Sequence, residues 1–308
     1  MSELEKTILK TLNYFIIFKF PLTALEVYKN LYRPQKKYSF SQVKKQLKEM
    51  AQQKTIGYSR GFYFVKVKYD IVSSRKNKYL LAQKKIKKAK KYLWLISKLP
   101  SVKGIFICNN LAYYNPRKKS DIDLAIITAK NKIWTTRLFS TILMMLCVKR
   151  PTPKKHNNKI CLSFYVTENN LNFQKYAYHE DIHFFYWIKQ FFPVYDQKQI
   201  IETFYQKNSW LNKYLPNLEF IPPKNRWMLK KSPQQTKTSN KFSNKNFGNL
   251  LESFFKKLQL NRLPDNLKKS AEQNNTNVVI NDQILKFHDK DKRQQYRQNW
   301  INKTKNLQ

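Results

Sequence analysis

The sequence predicts an α+β fold built from more than one unit, and three patterns carry that prediction. Residues 2 to 66 hold three helix-start signals followed by a glycine-punctuated alternation. Residues 71 to 99 repeat apolar positions at helical spacing, and residues 102 to 128 hold short β-branched runs. At 308 residues the chain is long enough for one large domain or two to three small ones, with a sizeable core.

The first pattern begins with Ser2 and Glu5, Thr23 and Glu26, and Ser39 and Gln42. In each pair a hydroxyl caps a backbone N–H while the residue three positions on reaches back. Three helices are expected. The first runs to about Phe18 with Ile8, Leu12, Phe15 and Ile16 on one side. The second follows the break at Pro21 and carries Leu25, Tyr28 and Leu31. The third turns Val43, Leu47 and Met50 inward and Lys44, Lys45 and Lys48 outward. "TIGYSRGFYFVKV" then alternates about Gly57 and Gly61 as a hairpin does. Three short helices and a hairpin predict a winged helix-turn-helix over residues 1–68. Its candidate nucleic-acid contacts are Lys44, Lys45 and Lys48 on the third helix and Arg60 at the wing tip. A protein-docking or purely structural role for such a module stays open.

Residues 69–99 read as a basic connector helix. Ala82, Ile86, Ala89, Leu93 and Ile96 recur at alternating spacings of four and three, and Lys84, Lys85, Lys87, Lys88, Lys90 and Lys91 fill the other faces. Pro100 ends it.

Residues 100–221 hold the candidate chemistry. "VKGIFI" and "DLAIIT" read as adjacent buried strands joined by a polar loop, and two aspartates open the second. Strand side chains alternate, so Asp121 and Asp123 share a face while Ile122 and Leu124 enter the core. Neighbouring carboxylates repel unless a cation lies between them, and hard oxygen ligands suit Mg²⁺. A divalent ion shared by the pair and a triphosphate satisfies the arrangement.

A second motif competes. "HEDIH", His179 to His183, has the spacing of a zinc site in which Glu180 activates water, with Glu202 downstream as a third ligand. Pro193 interrupts the segment and no further peptidase signature accompanies it, so surface histidines are the preferred reading. Residues 222–246 are polar and read as a flexible linker. Residues 247–308 read as a helical, basic tail: "LLESFFKKLQL" is amphipathic through Leu251, Phe254, Phe255 and Leu258, and a terminal helix interleaves Tyr296 and Trp300 with cations. His288, Asp289 and Asp291 are metal-capable but not preferred.

Composition bounds the rest. Lys+Arg of 60 against Asp+Glu of 19 gives a net charge of +41, which favours encounters with polyanions. The wealth of Lys, Asn, Ile, Tyr and Phe beside 4 Gly is also what compositional drift produces, so charge alone does not establish nucleic-acid binding. Cys108, Cys147 and Cys161 lie far apart in apolar segments, which argues for buried thiols in a reducing compartment. Glu3 and Glu5 stand where a signal peptide needs cations, and Leu138 to Val148 is too short to cross a bilayer. A cytoplasmic protein without membrane contact is expected; its oligomeric state is open.

The strand, two-residue turn, loop and Asp-x-Asp order resembles the nucleotidyltransferase superfamily typified by DNA polymerase beta and the minimal bacterial nucleotidyltransferases. "GFYFVK", "SDIDLAIIT", "IWTTRLFS", "KICLSFYV", "FFPVYD", "NSWLNKYLPN" and "VVINDQILKFHDKDKR" together are similar to bacterial proteins with a winged helix before such a domain, over most of the chain. The resemblance implies a mixed-sheet polymerase-beta-type domain, an NTP substrate, and Asp121 and Asp123 as catalytic Mg²⁺ ligands. Asn109 and Asn110 take the place of the family's phosphate-holding Gly-Ser turn, and Arg137 is a further candidate phosphate contact. Active members carry a third carboxylate as general base; here Ser163 stands at the expected position. Two readings follow. One is a nucleotidyltransferase with an unidentified acceptor and weakened catalysis. The other is a catalytically inactive nucleotide-sensing or nucleic-acid-binding regulator.

Overall fold

A computed structural model of the chain describes residues 1–65, 70–150, 158–230, 245–273, 277–287 and 291–307. Helices α1 (Glu3–Ile16), α2 (Ala24–Lys29) and α3 (Phe40–Gln52) start at Ser2, Thr23 and Ser39, and all three capping boxes form. Each side chain accepts a backbone N–H that the helix itself leaves unpaired. Strands β1 (Leu22–Thr23), β2 (Gly57–Ser59) and β3 (Phe62–Phe64) make an antiparallel sheet in the order β1-β3-β2. Arg60 (φ 50) and Gly61 (φ +86) form the turn between β2 and β3; positive φ at both centres matches the twist of a tight hairpin. Val43, Leu47 and Met50 are buried as expected, whereas Leu25 is 48 % exposed and Val27 takes the inward position on α2.

Helix α4 (Ile71–Ser97) buries Ala82, Ile86, Ala89, Leu93 and Ile96. The expectation that its lysines lie outside holds for Lys84, Lys87, Lys88 and Lys91 and fails for Lys85, which is 1 % exposed. Position 85 lies three residues after Ala82 and four before Ala89, so it belongs to the inward stripe. Its ammonium donates to the Ser120 carbonyl at 2.6 Å and to Asn158 Oδ1 at 3.0 Å.

The second sheet is mixed and six-stranded, in the order β7-β4-β5-β6-β9-β8: β4 (Val102–Ile107), β5 (Ile122–Thr128), β6 (Ile160–Thr167), β7 (Phe192–Asp196), β8 (Val278–Ile280) and β9 (Ile284–Phe287). Among the described residues only β5 and β6 pair in parallel, with α6 (Ile133–Leu146) between them in sequence. One sheet face, with Ile105, Ile107, Ile122, Leu124 and Ile126, packs on α4 and α6. The other, with Phe106, Ala125, Ile127, Phe164 and Val166, packs on α7 (Ile182–Lys189) and α8 (Ile200–Lys207) and continues into the N-terminal helices. Tyr14 of α1 stacks on Tyr186 of α7 at 4.4 Å, and the Tyr186 hydroxyl donates to the Asn30 carbonyl at 2.5 Å. One apolar core therefore joins the first three helices to the sheet.

The tail departs most from expectation. Residues 245–307 hold α9 (Lys245–Asn261), α10 (Asp265–Glu272), the β8–β9 hairpin and α11 (Arg293–Thr304), and the hairpin completes the central sheet. "QILKF", expected within a terminal helix, is strand β9, because its branched residues pair with β6. Helix α9 docks through Phe255, Gln259 and Glu252, while Leu251 and Phe254 stay exposed. Glu252 accepts the Trp134 and Thr135 N–H groups at 2.7 and 3.0 Å, capping α6 from outside its own sequence. Of the expected linker, residues 222–230 pack, with Leu229 buried and its N–H on the Val194 carbonyl, and residues 231–244 lie outside the described residues. Among the described residues no helix is long and apolar enough to cross a membrane.

Candidate active site

The site is built where β4 and β5 end side by side. Cys108 N–H donates to the Asp123 carbonyl at 3.0 Å, which fixes the chain leaving β4 against the head of β5. Alternation then decides the faces: Ile122 and Leu124 enter one core, while Asp123 turns to the other side with Asp121 just before the strand. Lys85 holds the Ser120 carbonyl from below and so fixes the residue preceding Asp121.

Asn109 opens the short helix α5 (Asn109–Ala112) with a left-handed φ of 57°. Asparagine tolerates that region better than most residues. Its Oδ1 accepts the Trp187 Nε1–H at 2.7 Å, which aims its amide NH₂ at Asp123. Asn110 Oδ1 accepts the Tyr113 hydroxyl at 2.5 Å.

The ligand atoms of Asp121, Asp123 and Cys161 all lie within 4.8 Å of one another. Burial and the adjacent Asp121 charge push the Asp123 carboxyl up to about 7, against the pull of Asn109 and Cys161 hydrogen bonds. Burial and the same two acids raise the Cys161 thiol, which stays protonated and donates to Ser163 Oγ at 3.2 Å. Cys161 pairs with Asp123 in the parallel ladder, and the register slips before Phe164 meets Ala125. The group facing the carboxylates is thus a thiol, with Ser163 two residues along the same strand face. Sequence reasoning placed Cys161 among inert buried thiols; a cysteine one strand over from an Asp-x-Asp, on the same parity, was the available signal.

The two aspartates line a cleft of about 270 Å³. Asn109, Asn110, Ser120, Asp121 and Asp123 come from α5 and from the head of β5 and its approach; Tyr14 comes from α1, Phe18 from the turn after it, and His183 and Trp187 from α7; Lys286, Asp291, Lys292, Arg293 and Tyr296 come from the C-terminal segment. That last contribution was missed because strand pairing, not local sequence, brings Lys286 of β9 to the cleft, and Asp291, Lys292, Arg293 and Tyr296 join it there. Lys286 pairs with Asp291 at 2.6 Å, and Arg293 with the buried Asp181. Buried pairs of this kind need both members, since one left alone is an uncompensated charge.

The other sequence-derived candidates lie elsewhere. Arg137 is not a cleft residue: its guanidinium donates to Gln259 at 2.7 Å and sits 4.5 Å over the Phe287 ring. Lys44, Lys45 and Lys48 are exposed on α3. Arg60 clamps the start of α4, donating to Ser73 Oγ at 2.9 Å and lying 3.7 Å from Asp70. The zinc spacing is not realised as a helical pair. Asp181 caps α7, so His179 falls outside the helix while His183 faces the cleft with Nδ1 2.9 Å from the Tyr14 hydroxyl. Among the described residues the one group of three metal-capable side chains is Asp121, Asp123 and Cys161. His288 and Asp289 lie outside the described residues, and Asp291 is held by Lys286.

Two carboxylates lining a cleft are oxygen donors of the kind Mg²⁺ takes, with water and phosphate oxygens able to complete six. The protonated thiol is a poor ligand for so hard an ion. The donor set therefore fits Mg²⁺ through the aspartates alone. Comparison with protein-family models, curated proteins and solved structures finds no match to this chain.

Proposed function

We propose that the chain is a Mg²⁺-dependent nucleotidyltransferase, moving a nucleotidyl group from an NTP to an acceptor, with residues 1–65 acting as a winged helix-turn-helix beside a polymerase-beta-type domain. The observation that carries this reading is the pair Asp121 and Asp123 side by side at the head of β5, both lining one cleft. Burial and the Asp121 charge both push the Asp123 carboxyl up, and a dication held by the two acids would offset that repulsion. Bound there, Mg²⁺ supplies charge neutralisation and alignment at the α-phosphate. Asn109 hydrogen-bonds the Asp123 carboxylate, Asn110 lines the same cleft and would donate its amide to phosphate, and the exposed Lys292 adds positive charge there. Arg137 has no part in this, given its place under α9. The exposed Lys44, Lys45 and Lys48 of α3 are the proposed nucleic-acid contacts.

A second reading is favoured by one specific observation: Cys161, not a carboxylate, faces Asp123. A missing general base forfeits roughly 10²–10⁴-fold in rate. A domain that binds nucleotide without transferring it would then serve as a sensor or nucleic-acid-binding regulator. Incubation with Mg²⁺ and labelled NTPs separates the two readings. Transfer of label by the native chain, lost in Asp121→Ala and Asp123→Ala, supports the enzyme; equal labelling in all three overturns it, and binding without transfer selects the sensor.

A further inference from the structure

We propose, resting on the nucleotide reading above, that Phe18, His183 and Tyr296 form a nucleobase subsite, so that the C-terminal helix completes the substrate pocket. The three side chains come from the end of α1, from α7 and from α11, and they meet at the cleft. Phe18 and His183 stack at 5.5 Å between ring centroids, His183 and Tyr296 lie at 4.7 Å, and Phe18 meets Tyr296 edge-on at 4.9 Å. All three are half-buried and line the cleft, where a planar group can lie against their cluster.

The neighbours of Tyr296 separate docking from recognition. Trp300, one helical turn on, is 5 % exposed, donates its indole N–H to the Lys10 carbonyl at 2.9 Å and packs edge-on against Tyr32. That residue seats α11 on α1. Tyr296 is turned instead into the cleft, in the same cavity as the Asp121–Asp123 pair. His183 spends Nδ1 on the Tyr14 hydroxyl and burial keeps its ring neutral, so the wall carries no charge of its own. A neutral aromatic wall and a carboxylate pair in one cleft of about 270 Å³ match the two ends of a metal-bound nucleotide. Stacking on aromatic side chains is tolerant of base identity, so the wall binds nucleobases as a class.

Calorimetric titration of the full chain with Mg²⁺–ATP and with Mg²⁺–tripolyphosphate, which lacks the base, tests this. The native chain is expected to bind both. Tyr296→Ala weakens ATP binding about tenfold and leaves tripolyphosphate unchanged, while Tyr296→Phe, which keeps the ring, retains both affinities. Equal losses for both ligands in Tyr296→Ala, or no loss for either, overturn the subsite. Native binding of tripolyphosphate with no gain from the base overturns the subsite and leaves the carboxylate reading standing. Binding of neither ligand ends both.

Discussion

Asp123 and His183 face the same cleft, and burial moves both toward their neutral forms, one up to about 7 and the other down to about 4. The imidazole Nδ1 meets the Tyr14 hydroxyl, and beyond burial Arg293 and Lys286 hold the ring neutral against the pull of Asp291. The histidine gives a pH prediction whose sign is fixed. Between pH 4 and 6.5 the unfolded chain holds a proton that folded His183 lacks, so its contribution to stability is present above 6.5 and is lost as pH falls toward 4. Urea unfolding of the native chain and His183→Gln at several pH values is expected to show a difference in slope across that window. Its upper bound is about 1.4 kcal/mol per pH unit for one proton, reduced by the ring's partial exposure. Parallel pH profiles would mean that His183 titrates normally.

At the scale of elements, α4 does more than connect. Its Lys85 reaches through the inward stripe to the Ser120 carbonyl, one residue before Asp121, and so ties a helix to the site's geometry. Lys85→Met keeps the stem's packing and leaves the Ser120 carbonyl and the Asn158 amide oxygen without this donor. The expected cost is about 1–3 kcal/mol, or several degrees in melting temperature, together with weaker divalent-ion binding. A variant that melts lower but binds Mn²⁺ as tightly as the native chain would limit Lys85 to a structural role. Lys85 also marks what the sequence conceals. The helix was legible because Ala82, Ile86, Ala89, Leu93 and Ile96 obey one period, but a lysine on that stripe reads as solvated until its buried acceptors are seen. The three capping boxes, the Gly61 turn and the faces of Ile122, Asp123 and Leu124 were legible because each depends on spacing within a few residues. Strand β9, the Cys161–Asp123 pairing and the placement of Arg137 were not, because each is decided by partners far along the chain.

Across the whole molecule the cleft is assembled from both ends of the chain. Helix α1 gives Tyr14 and the turn after it Phe18, the centre gives the aspartates and α7, and Lys286, Asp291, Lys292, Arg293 and Tyr296 add the C-terminal contribution. The buried Arg293–Asp181 pair and the Lys286–Asp291 pair hold that C-terminal segment in place, so the site and the tertiary fold stand or fall together. The central claim is that Asp121 and Asp123 share a divalent ion with a triphosphate. Electron paramagnetic resonance of Mn²⁺, standing in for Mg²⁺, tests it most directly: the chain with ATP is added to the ion and the free-ion signal is followed. The expected result is uptake of the ion at one equivalent beyond what ATP alone removes, lost in Asp121→Ala and Asp123→Ala. Uptake that is the same in all three proteins, or no uptake by the native chain, would contradict it.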